Sequence, residues 1–314
     1  MKRIALSTVF VCLLILIPTG ILSQVGQERY NWEQDKVSLM LKRADARQDS
    51  QIIWTYHFDP RHKPFFHPVY SLDGILITSE APADHPWHLG LWFCWKYING
   101  LNYWEYQGDP KLAVSEGRTN LVGTRIRKSR DGSARITQKL LYHPWERKDQ
   151  PVMKETRTTT VTAPRSDRGY LISIEHQFTA LTDVLLDRTP AQTNAEGIAW
   201  GGYAGLSIRF DGQLSSPRYF SAATDSMKSG ERAPWVSARL VAPDGRKVQV
   251  TILEDPGNPG HPTPWYCINR PAQQFWFYSP AILYHEALAL KAGEKLVLRY
   301  RVMVAGSIKG DPEL

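Results

Sequence analysis

The segment Asp84-His85-Pro86-Trp87-His88 concentrates side chains that could move protons. Pro86 disfavours helical backbone at His85, so the two imidazoles belong to a turn or an extended segment and not to a helical zinc motif. The carboxylate of Asp84 can fix the tautomer of His85 and raise its basicity, as acid–base catalysis near neutral pH requires. We expect His85 and His88 to be catalytic. The alternative is a turn whose imidazoles bind loop carbonyls.

Two further histidines, His67 and His261, also precede prolines, in the segments 59–68 and 254–265. Stiff loops hold a side chain in place at low entropic cost, so we expect both to join the catalytic group. We expect this site to use no metal and no cofactor. A metal-dependent oxidase or oxygenase would instead require His67, His85 and His88 to surround one ion with an open coordination position.

Aromatic side chains surround these histidines, and the chain contains 11 Trp and 14 Tyr. Flat apolar faces with polar edges suit the C–H faces of sugars, although a tryptophan-rich core produces the same composition. We expect Trp87, Trp104 and Trp265 to bind substrate, and Trp92 and Trp95 to pack in the core.

Four further polar residues complete the predicted site. Tyr203 follows a Gly-Gly pair and could abstract a proton, while Arg209 could neutralise a substrate carboxylate. Glu155 and Asn258 are predicted to bind substrate. The structural alternatives are ordinary ones, because a strand Glu near an Arg usually forms a cross-strand pair and a Tyr after glycines is usually half-buried.

Strands must position these residues, because period-two and β-branched segments recur between turn signals from about residue 35 onward. The 21 Pro and 22 Gly break the chain into pieces too short for long helices. In YLISIEHQFTAL, polar residues occur on both faces, so at least one must point inward whichever face is buried. The predicted class is all-β, a large antiparallel β-sandwich. Its twelve expected strands are KVSLMLK, SQIIWTYHF, GILITS, GLWFCWKY, TRIRKS, ARITQKLLYH, RTTTVTA, YLISIEHQFTAL, AGLSIRF, RKVQVTILE, QQFWFYS and KLVLRYRVMVAG.

Residues 1–23 have the layout of a secretory signal peptide, with Lys2 and Arg3, an apolar run and a small residue before Gln24. The run is short for a membrane span of about 20 residues, so we expect a cleaved leader rather than an anchor. We therefore expect residues 24–314 to form a single β-sandwich domain that is periplasmic or secreted, without a membrane span. The composition does not indicate an oligomeric state. Cys94, in LWFCW, is expected to be a buried free thiol.

The basic excess of the chain is small. The formal net charge of +7 becomes +5 when Lys2 and Arg3 are subtracted. Since Lys and Arg do not form a long run, we expect no nucleic-acid partner. A carbohydrate or another small polar substrate, including an anionic one, remains compatible with this charge.

Several of these segments together resemble one family. FFHPVYSLDGILITSEAPADHPWHLGLWFCWKYINGLNYWE is similar to the segment common to exported bacterial proteins of the DUF6807 family, often labelled PmoA-like, whose usual form is close to DHPHHRGLWFAWGDVNGVDFW. Later segments agree in the same order: Tyr203–Arg209, Asp255–Asn258, His261–Trp265 and SPAILYHEALALKAGEKLVLRYRVMV. The resemblance implies an antiparallel β-sandwich similar to galactose-mutarotase-like supersandwiches, and a role in polysaccharide degradation.

This chain departs from the family motif at two positions, because Trp87 stands in place of the middle His and Leu89 in place of the Arg. The positions that match include five predicted catalytic residues: His67, His85, His88, Tyr203 and His261.

Three functions follow from these observations. The first is an exported carbohydrate-active enzyme, a lyase or hydrolase that uses His and Tyr for elimination, dehydration or glycosidic cleavage of a sugar or a uronic-acid-containing oligosaccharide. The second is a non-catalytic glycan-binding β-sandwich, and the third is the metal-dependent oxidase or oxygenase. The sequence has no GxSxG, GxxxxGK[ST] or helix-opening GxGxxG motif, which disfavours serine acyl hydrolases and phosphoryl transfer.

Overall fold

Strands account for nearly all regular structure in the computed structural model, which describes residues 29–44, 50–105, 115–192, 198 and 200–305. The predicted leader and Cys12 lie outside the described residues. No helix within these ranges combines the length and apolar character needed to cross a membrane. Cys94 and Cys267 are both free, and Cys94 is buried as expected.

Twenty strands and one short 3₁₀ turn, Pro271–Gln273, are formed by the described residues. In chain order the strands are β1 Arg29–Gln34, β2 Ser38–Ala44, β3 Ser50–His57, β4 Phe65–Val69, β5 Leu91–Cys94, β6 Tyr97–Ile98, β7 Leu101–Asn102, β8 Gly117–Lys128, β9 Ala134–Pro144, β10 Met153–Val161, β11 Tyr170–Ala180, β12 Val184–Asp187, β13 Gly205–Arg209, β14 Arg218–Phe220, β15 Trp235–Val241, β16 Lys247–Glu254, β17 Trp265–Arg270, β18 Phe275–Pro280, β19 Leu288–Leu290 and β20 Lys295–Ala305.

Two large antiparallel sheets form the body of the protein. The first sheet has the order β1-β2-β3-β4-β5-β13-β18-β17, and the second has the order β14-β15-β16-β20-β11-β10-β9-β8. A smaller sheet, β19-β12-β6-β7, contains the continuation of the chain after β5. The predicted all-β class and large antiparallel architecture are therefore confirmed.

The two large sheets pack face to face through alternate residues of their strands. Phe93 of β5 lies with its ring centroid 4.1 Å from that of His176 on β11, and Tyr56 of β3 donates a 2.5 Å hydrogen bond to Gln138 on β9. His176 is fully buried, so the inward polar side chain predicted for YLISIEHQFTAL is present. Because strand side chains alternate, the neighbours of these inward residues, such as Trp92, lie on the outer faces.

The strand prediction failed in two kinds of place. The segment 59–68, predicted to be a loop, contains most of β4, where Phe65 pairs with Trp92 and Phe66 with Leu91. The flanking prolines obscured this short strand, whose Pro68 has no N–H to donate to a ladder. Conversely, GILITS forms only isolated bridges, Tyr70 with Leu76 and Thr78 with Phe210.

Candidate active site

A cavity of about 300 Å³ opens on the outer face of the first sheet. Its floor consists of alternate residues from two neighbouring strands, as expected for side chains that share one face of a sheet. The residues that contribute are Tyr266, Ile268 and Arg270 from β17, and Phe275 and Phe277 from β18. The remaining lining residues come from three connecting segments: His85, Trp87 and His88; Trp104 and Glu105; Trp200 and Tyr203.

Two consecutive β-turns bring His85 and His88 together at this cavity. The His85 amide donates to Pro82 O, and the His88 amide donates to His85 O, each at 2.9 Å. Pro86 is the second residue of the latter turn, a position that its fixed φ favours. The two imidazoles stack with centroids 4.6 Å apart. The predicted turn, as opposed to a helix, is confirmed.

The carboxylate of Asp84 lies next to His85 and is itself bound by the guanidinium of Arg209. Arg209 donates from Nη2 to both oxygens of Asp84, at 3.2 and 2.9 Å, and Asp84 Oδ2 lies 3.0 Å from His85 Nδ1. The Arg209 guanidinium carbon also lies 3.9 Å from the Phe275 ring centroid. Arg209 does not line the cavity, so its predicted role as a clamp for substrate is wrong in position. Its partner is the carboxylate of Asp84, and Arg209 thereby holds Asp84 beside His85.

Five aromatic rings form a closed cycle around the cavity. Successive ring centroids lie 4.8 to 6.3 Å apart, a spacing typical of aromatic contacts. The contacts are His88 with Trp104, Trp104 with Tyr203, Tyr203 with Tyr266, Tyr266 with Phe277, and Phe277 with His88. Trp87 lies beside this cycle with its ring 5.5 Å from that of His85. Trp87 and Trp104 therefore both line the cavity, although Trp104 is almost fully buried. That they bind substrate stays a prediction.

Two glycines allow the chain to carry Tyr203 into this cycle. A Cβ at Gly201 would lie 1.9 Å from the carbonyl oxygen of Pro190, so only glycine fits there. Gly202 has a φ of +100°, and a Cβ at that position would lie 2.5 Å from the ring of Tyr284. The Gly-Gly pair thus permits a close backbone approach immediately before Tyr203.

Glu105 is a lining residue that sequence reasoning missed. Its Oε1 accepts a hydrogen bond from the buried ammonium of Lys96, whereas its buried Oε2 has no hydrogen-bond partner in the part of the chain that the structure describes. Lys96 Nζ also lies 5.4 Å from the ring centroid of Tyr203, so the three side chains are neighbours. The sequence signal for Glu105 is its place directly after Tyr103 and Trp104. An interpretation of that segment from its aromatic residues alone does not include this carboxylate.

Burial sets the protonation states of the lining groups. It lowers the pKa of His85, and Asp84 offsets part of that effect. It lowers the pKa of His88 well below the ordinary histidine value, with His85 adding to the effect. Both imidazoles are therefore neutral at pH 7 and can act as bases. Burial also raises the pKa of Tyr203, with Glu105 contributing, so this phenol is a proton donor. The predicted use of Tyr203 as a base is not supported.

Two other predicted catalytic histidines do not line the cavity. His67 lies in β4, with Nδ1 3.0 Å from Thr78 Oγ1. His261 lies in the β16–β17 connection, with Nδ1 3.0 Å from Glu254 Oε1. The expectation that all the proline-flanked histidines meet in one cavity is wrong for these two, because each is tied to a neighbouring polar group elsewhere.

Three predicted substrate-binding residues also lie elsewhere. Glu155 is buried between the sheets, where it binds Arg157, His176 and Tyr142. Asn258 exchanges two hydrogen bonds with the backbone of Arg299 and so fastens its loop to β20. Trp265 is fully buried and donates from Nε1 to Ala233 O. Each of these side chains forms hydrogen bonds within the protein. The sequence could not show whether its polar groups would bond internally or stay available to a substrate.

The oxidase or oxygenase hypothesis requires several ligand side chains to surround one metal ion. Within the ranges that the structure describes, no three His, Cys, Asp or Glu side chains gather as ligands for one ion. The required cluster of His67, His85 and His88 does not form, because His67 lies on β4 while the other two stack at the cavity.

Two solved structures are described among those to which this chain is similar. One is the alpha-galactosidase from Lactobacillus brevis, with 7% identity and a TM-score of 0.38, covering 88% of this chain and 39% of that protein. The other is the 4-alpha-glucanotransferase from Thermococcus litoralis, with 8% identity and a TM-score of 0.33, covering 90% of this chain and 38% of that protein. This chain thus spans less than half the length of either one.

Sequence comparison with curated proteins finds no match. The PmoA-like label and the galactose-mutarotase-like topology stay predictions. The model of a family of unknown function, DUF6807, matches residues 43–312. Since that match covers most of the sequence, this chain belongs to the DUF6807 family.

Proposed function

We propose that this protein is an exported enzyme that acts on a sugar or a uronic-acid-containing oligosaccharide in the cavity on the first sheet. The stacked pair His85 and His88 supplies the acid–base chemistry. The signal-peptide character of residues 1–23 supports export to the periplasm or the medium. The aromatic cycle supports a carbohydrate substrate, because sugar rings offer C–H faces to aromatic rings and hydroxyls to polar groups.

One observation carries this proposal: a neutral imidazole is backed by an ion pair and faces an aromatic cavity. Asp84 lies 3.0 Å from His85 and is itself fixed by Arg209. Such a carboxylate stabilises the imidazolium that forms when His85 takes a proton, and it keeps the ring in one orientation. A histidine with a purely structural role would not need to face a cavity or to lie near polar atoms that are available to a ligand.

The lining residues suit proton abstraction beside a carboxylate. Arg270, at the exposed rim, is a counter-ion for a uronic acid, and it holds that carboxylate as charge develops on it. His85 removes the proton from the carbon next to the carboxylate, and the electron pair forms a C=C bond as the C–O bond on the next carbon breaks. Tyr203, whose pKa burial raises, gives its proton to the departing oxygen.

The remaining polar groups position the substrate. Oε2 of Glu105 accepts a hydrogen bond from a sugar hydroxyl, because its other oxygen is already used by Lys96. Trp104 and Phe277 border the same space as flat apolar surfaces. Together they fix the ring so that one carbon faces His85.

The test is turnover of a panel of neutral and uronic-acid oligosaccharides by the wild type, His85→Ala and His88→Ala. Products are detected by mass spectrometry, and binding is measured by calorimetry on the same samples. His285→Ala serves as the matched control, since His285 is exposed and does not line the cavity. We expect product with the wild type and the control, and loss of at least about a hundredfold in turnover for both cavity variants.

Full activity of both cavity variants would contradict the proposal. So would saccharide binding by the wild type without any product, which would instead support the glycan-binding alternative. In that case binding should survive His85→Ala and His88→Ala and fail in Trp104→Ala.

A further inference from the structure

The outer face of the second sheet carries rows of basic side chains that strand pairing creates. One row crosses β8, β9, β10, β11 and β20 in register, through the residues Arg127, Arg135, Thr160, Ser173 and Arg301. Neighbouring strands lie about 4.8 Å apart, so this row is roughly 19 Å long. Two arginines lie at one end of it and one at the other, with hydroxyls between them.

The adjacent rows have the same character. The next row contains Arg125, Thr137, Thr158, Glu175 and Arg299, and the row after it begins with Lys139 and Thr156 beside Gln177. Rows on one face repeat about every 6.6–6.8 Å along the strands. The three rows therefore form a flat patch, which we call the basic face, that displays cations and hydroxyls at regular spacing.

Most cations of the basic face have no carboxylate partner. Arg299 donates from Nε to Glu175 at 2.6 Å, which neutralises that pair. Among the described residues, Arg125, Arg127, Arg135 and Arg301 form no ion pair within 4.0 Å, and all four are exposed. A cluster of unpaired like charges raises the free energy of the folded protein unless an anion offsets it. This face is therefore complementary to a polyanion.

Two adjoining grooves on the basic face supply the shape. The larger, of about 260 Å³, has a lining that includes Arg135, Thr160, Ser173 and Arg301, together with the Glu175–Arg299 pair and the carboxylate of Asp255 beside Arg299. The smaller, of about 160 Å³, is lined by Arg125, Arg127, Arg135 and Thr137. Arg135 belongs to both, so the grooves are neighbours along the rows. A chain lying across the strands would meet guanidinium groups in both.

We propose that the basic face is a second binding site, and that it holds a polysaccharide chain bearing carboxylates at regular intervals. Guanidinium groups bind carboxylates through two parallel hydrogen bonds, and the central Thr and Ser hydroxyls bind sugar hydroxyls. The site lies on the outer face of the second sheet, whereas the cavity lies on the outer face of the first. Binding at the basic face therefore does not depend on the activity proposed for the cavity.

The chemistry of the face favours a glycan over a nucleic acid. None of the residues in the three rows is aromatic, whereas proteins that bind single strands stack bases on aromatic side chains. The rows also lie on a sheet, without the helix or protruding ribbon that enters a duplex groove. The basic face is not evident from the sequence, because its arginines lie on separate strands and do not form a run in the chain.

The test is binding of polygalacturonate to the full-length protein, measured by affinity electrophoresis at several salt concentrations. The row variant combines Arg127→Gln, Arg135→Gln and Arg301→Gln. The control variant removes three positive charges elsewhere through Arg147→Gln, Lys148→Gln and Lys228→Gln, all at exposed positions. We expect wild-type binding that weakens with salt, a loss of about tenfold or more in the row variant, and little change in the control.

A second row variant combines Arg127→Lys, Arg135→Lys and Arg301→Lys. It keeps the positive charge and so separates the effect of lost charge from the effect of lost folding. We expect it to retain binding better than the Gln variant does. Three results would overturn the proposal: no binding by the wild type, equal loss in the row and control variants, or DNA bound as tightly as polygalacturonate with the same dependence on the row. Binding of dextran sulfate but not polygalacturonate would also overturn the assignment to carboxylates.

Discussion

Glu155 and Glu105 are both buried carboxylates beside a basic residue, but they differ in how many of their acceptors are used. Glu155 accepts hydrogen bonds from Arg157 at both oxygens, and also from Tyr142 and His176. Glu105 has Lys96 at one oxygen and, among the described residues, no hydrogen-bond partner at the other. Burial of an acceptor without a donor costs free energy. The difference teaches that Glu105 retains an acceptor for a ligand, while both oxygens of Glu155 are already used.

The histidines of the two regions differ in what they face. His176 is enclosed between the sheets, where its Nδ1 lies 2.8 Å from Glu155 and its Nε2 has no hydrogen-bond partner among the described residues. His85 and His88 border a cavity, and Nδ1 of His88 has no partner among the described residues. Burial favours the neutral imidazole both between the sheets and at the cavity, but only the pair at the cavity can reach a substrate.

The largest expected effect is on folding, from Glu155→Ala. This change leaves Arg157 buried without its partner, and breaking a buried ion pair in this way costs about 3–5 kcal/mol. Burial raises the pKa of Glu155, but Arg157 and His176 outweigh it and hold the pKa below its usual range. Urea unfolding at pH 7 measures the loss. Glu105→Ala should cost less, because it unpairs Lys96 alone, whereas Glu155→Ala unpairs Arg157, His176 and Tyr142. Equal costs for the two variants would remove the distinction between the regions.

An effect of intermediate size is expected for ligand binding, from Glu105→Gln. The amide keeps the size of the side chain but removes the charge that accepts a sugar hydroxyl, and such a bond contributes about 1.5–3 kcal/mol. We therefore expect affinity for a saccharide identified in the panel to fall by about 10- to 100-fold, with calorimetry as the measurement. Glu116→Gln is the control, since Glu116 is exposed. Unchanged affinity in Glu105→Gln would show that Oε2 does not bind the ligand.

A further change is expected in the pH dependence of turnover, from Asp84→Asn. The base form of His85 is neutral, and its pKa is lowered by burial while Asp84 works in the opposite direction. Removing the carboxylate lowers this pKa further, so the acid limb of kcat/KM moves to lower pH. The plateau falls because the imidazolium loses its counter-ion. A limb that moves to higher pH, or does not move, would contradict the assignment of His85 as the base.

The smallest effect at pH 7 concerns His67, because it appears only as a loss of stability in acid. Burial lowers the pKa of His67 to about 4, with His57 contributing, whereas the unfolded chain has the ordinary value of about 6.5. The unfolded state thus binds the proton first, so stability present above pH 6.5 is lost as the pH falls towards 4. His67→Gln should reduce this loss, as measured by thermal unfolding between pH 7 and 4. An identical pH slope in the variant would contradict it.

The fold class and the turn that carries His85 and His88 followed from the sequence because their causes are local. Alternating side chains predicted most long strands, and Pro86 predicted the turn that stacks His85 on His88. The sequence could not show which carboxylates would be fully bonded, because the partners of Glu155 come from three strands. Glu105 was missed for the same reason: its pairing with Lys96 depends on the hairpin of β6 and β7 between them.

The rows of the basic face illustrate the same limit. Arg127, Arg135 and Arg301 look like ordinary surface residues in sequence, and only strand register aligns them. His67 and His261 were misassigned for the opposite reason, because flanking prolines indicate a stiff backbone but not the direction in which the side chain points.

A crystal structure of the protein soaked with uronic-acid disaccharides tests the cavity most directly. We predict a sugar ring against Trp104 and Phe277, with a hydroxyl on Glu105 Oε2 and the carbon beside the carboxylate facing His85. A saccharide bound only outside this cavity, in crystals where the cavity is open to solvent, would contradict its assignment as the active site.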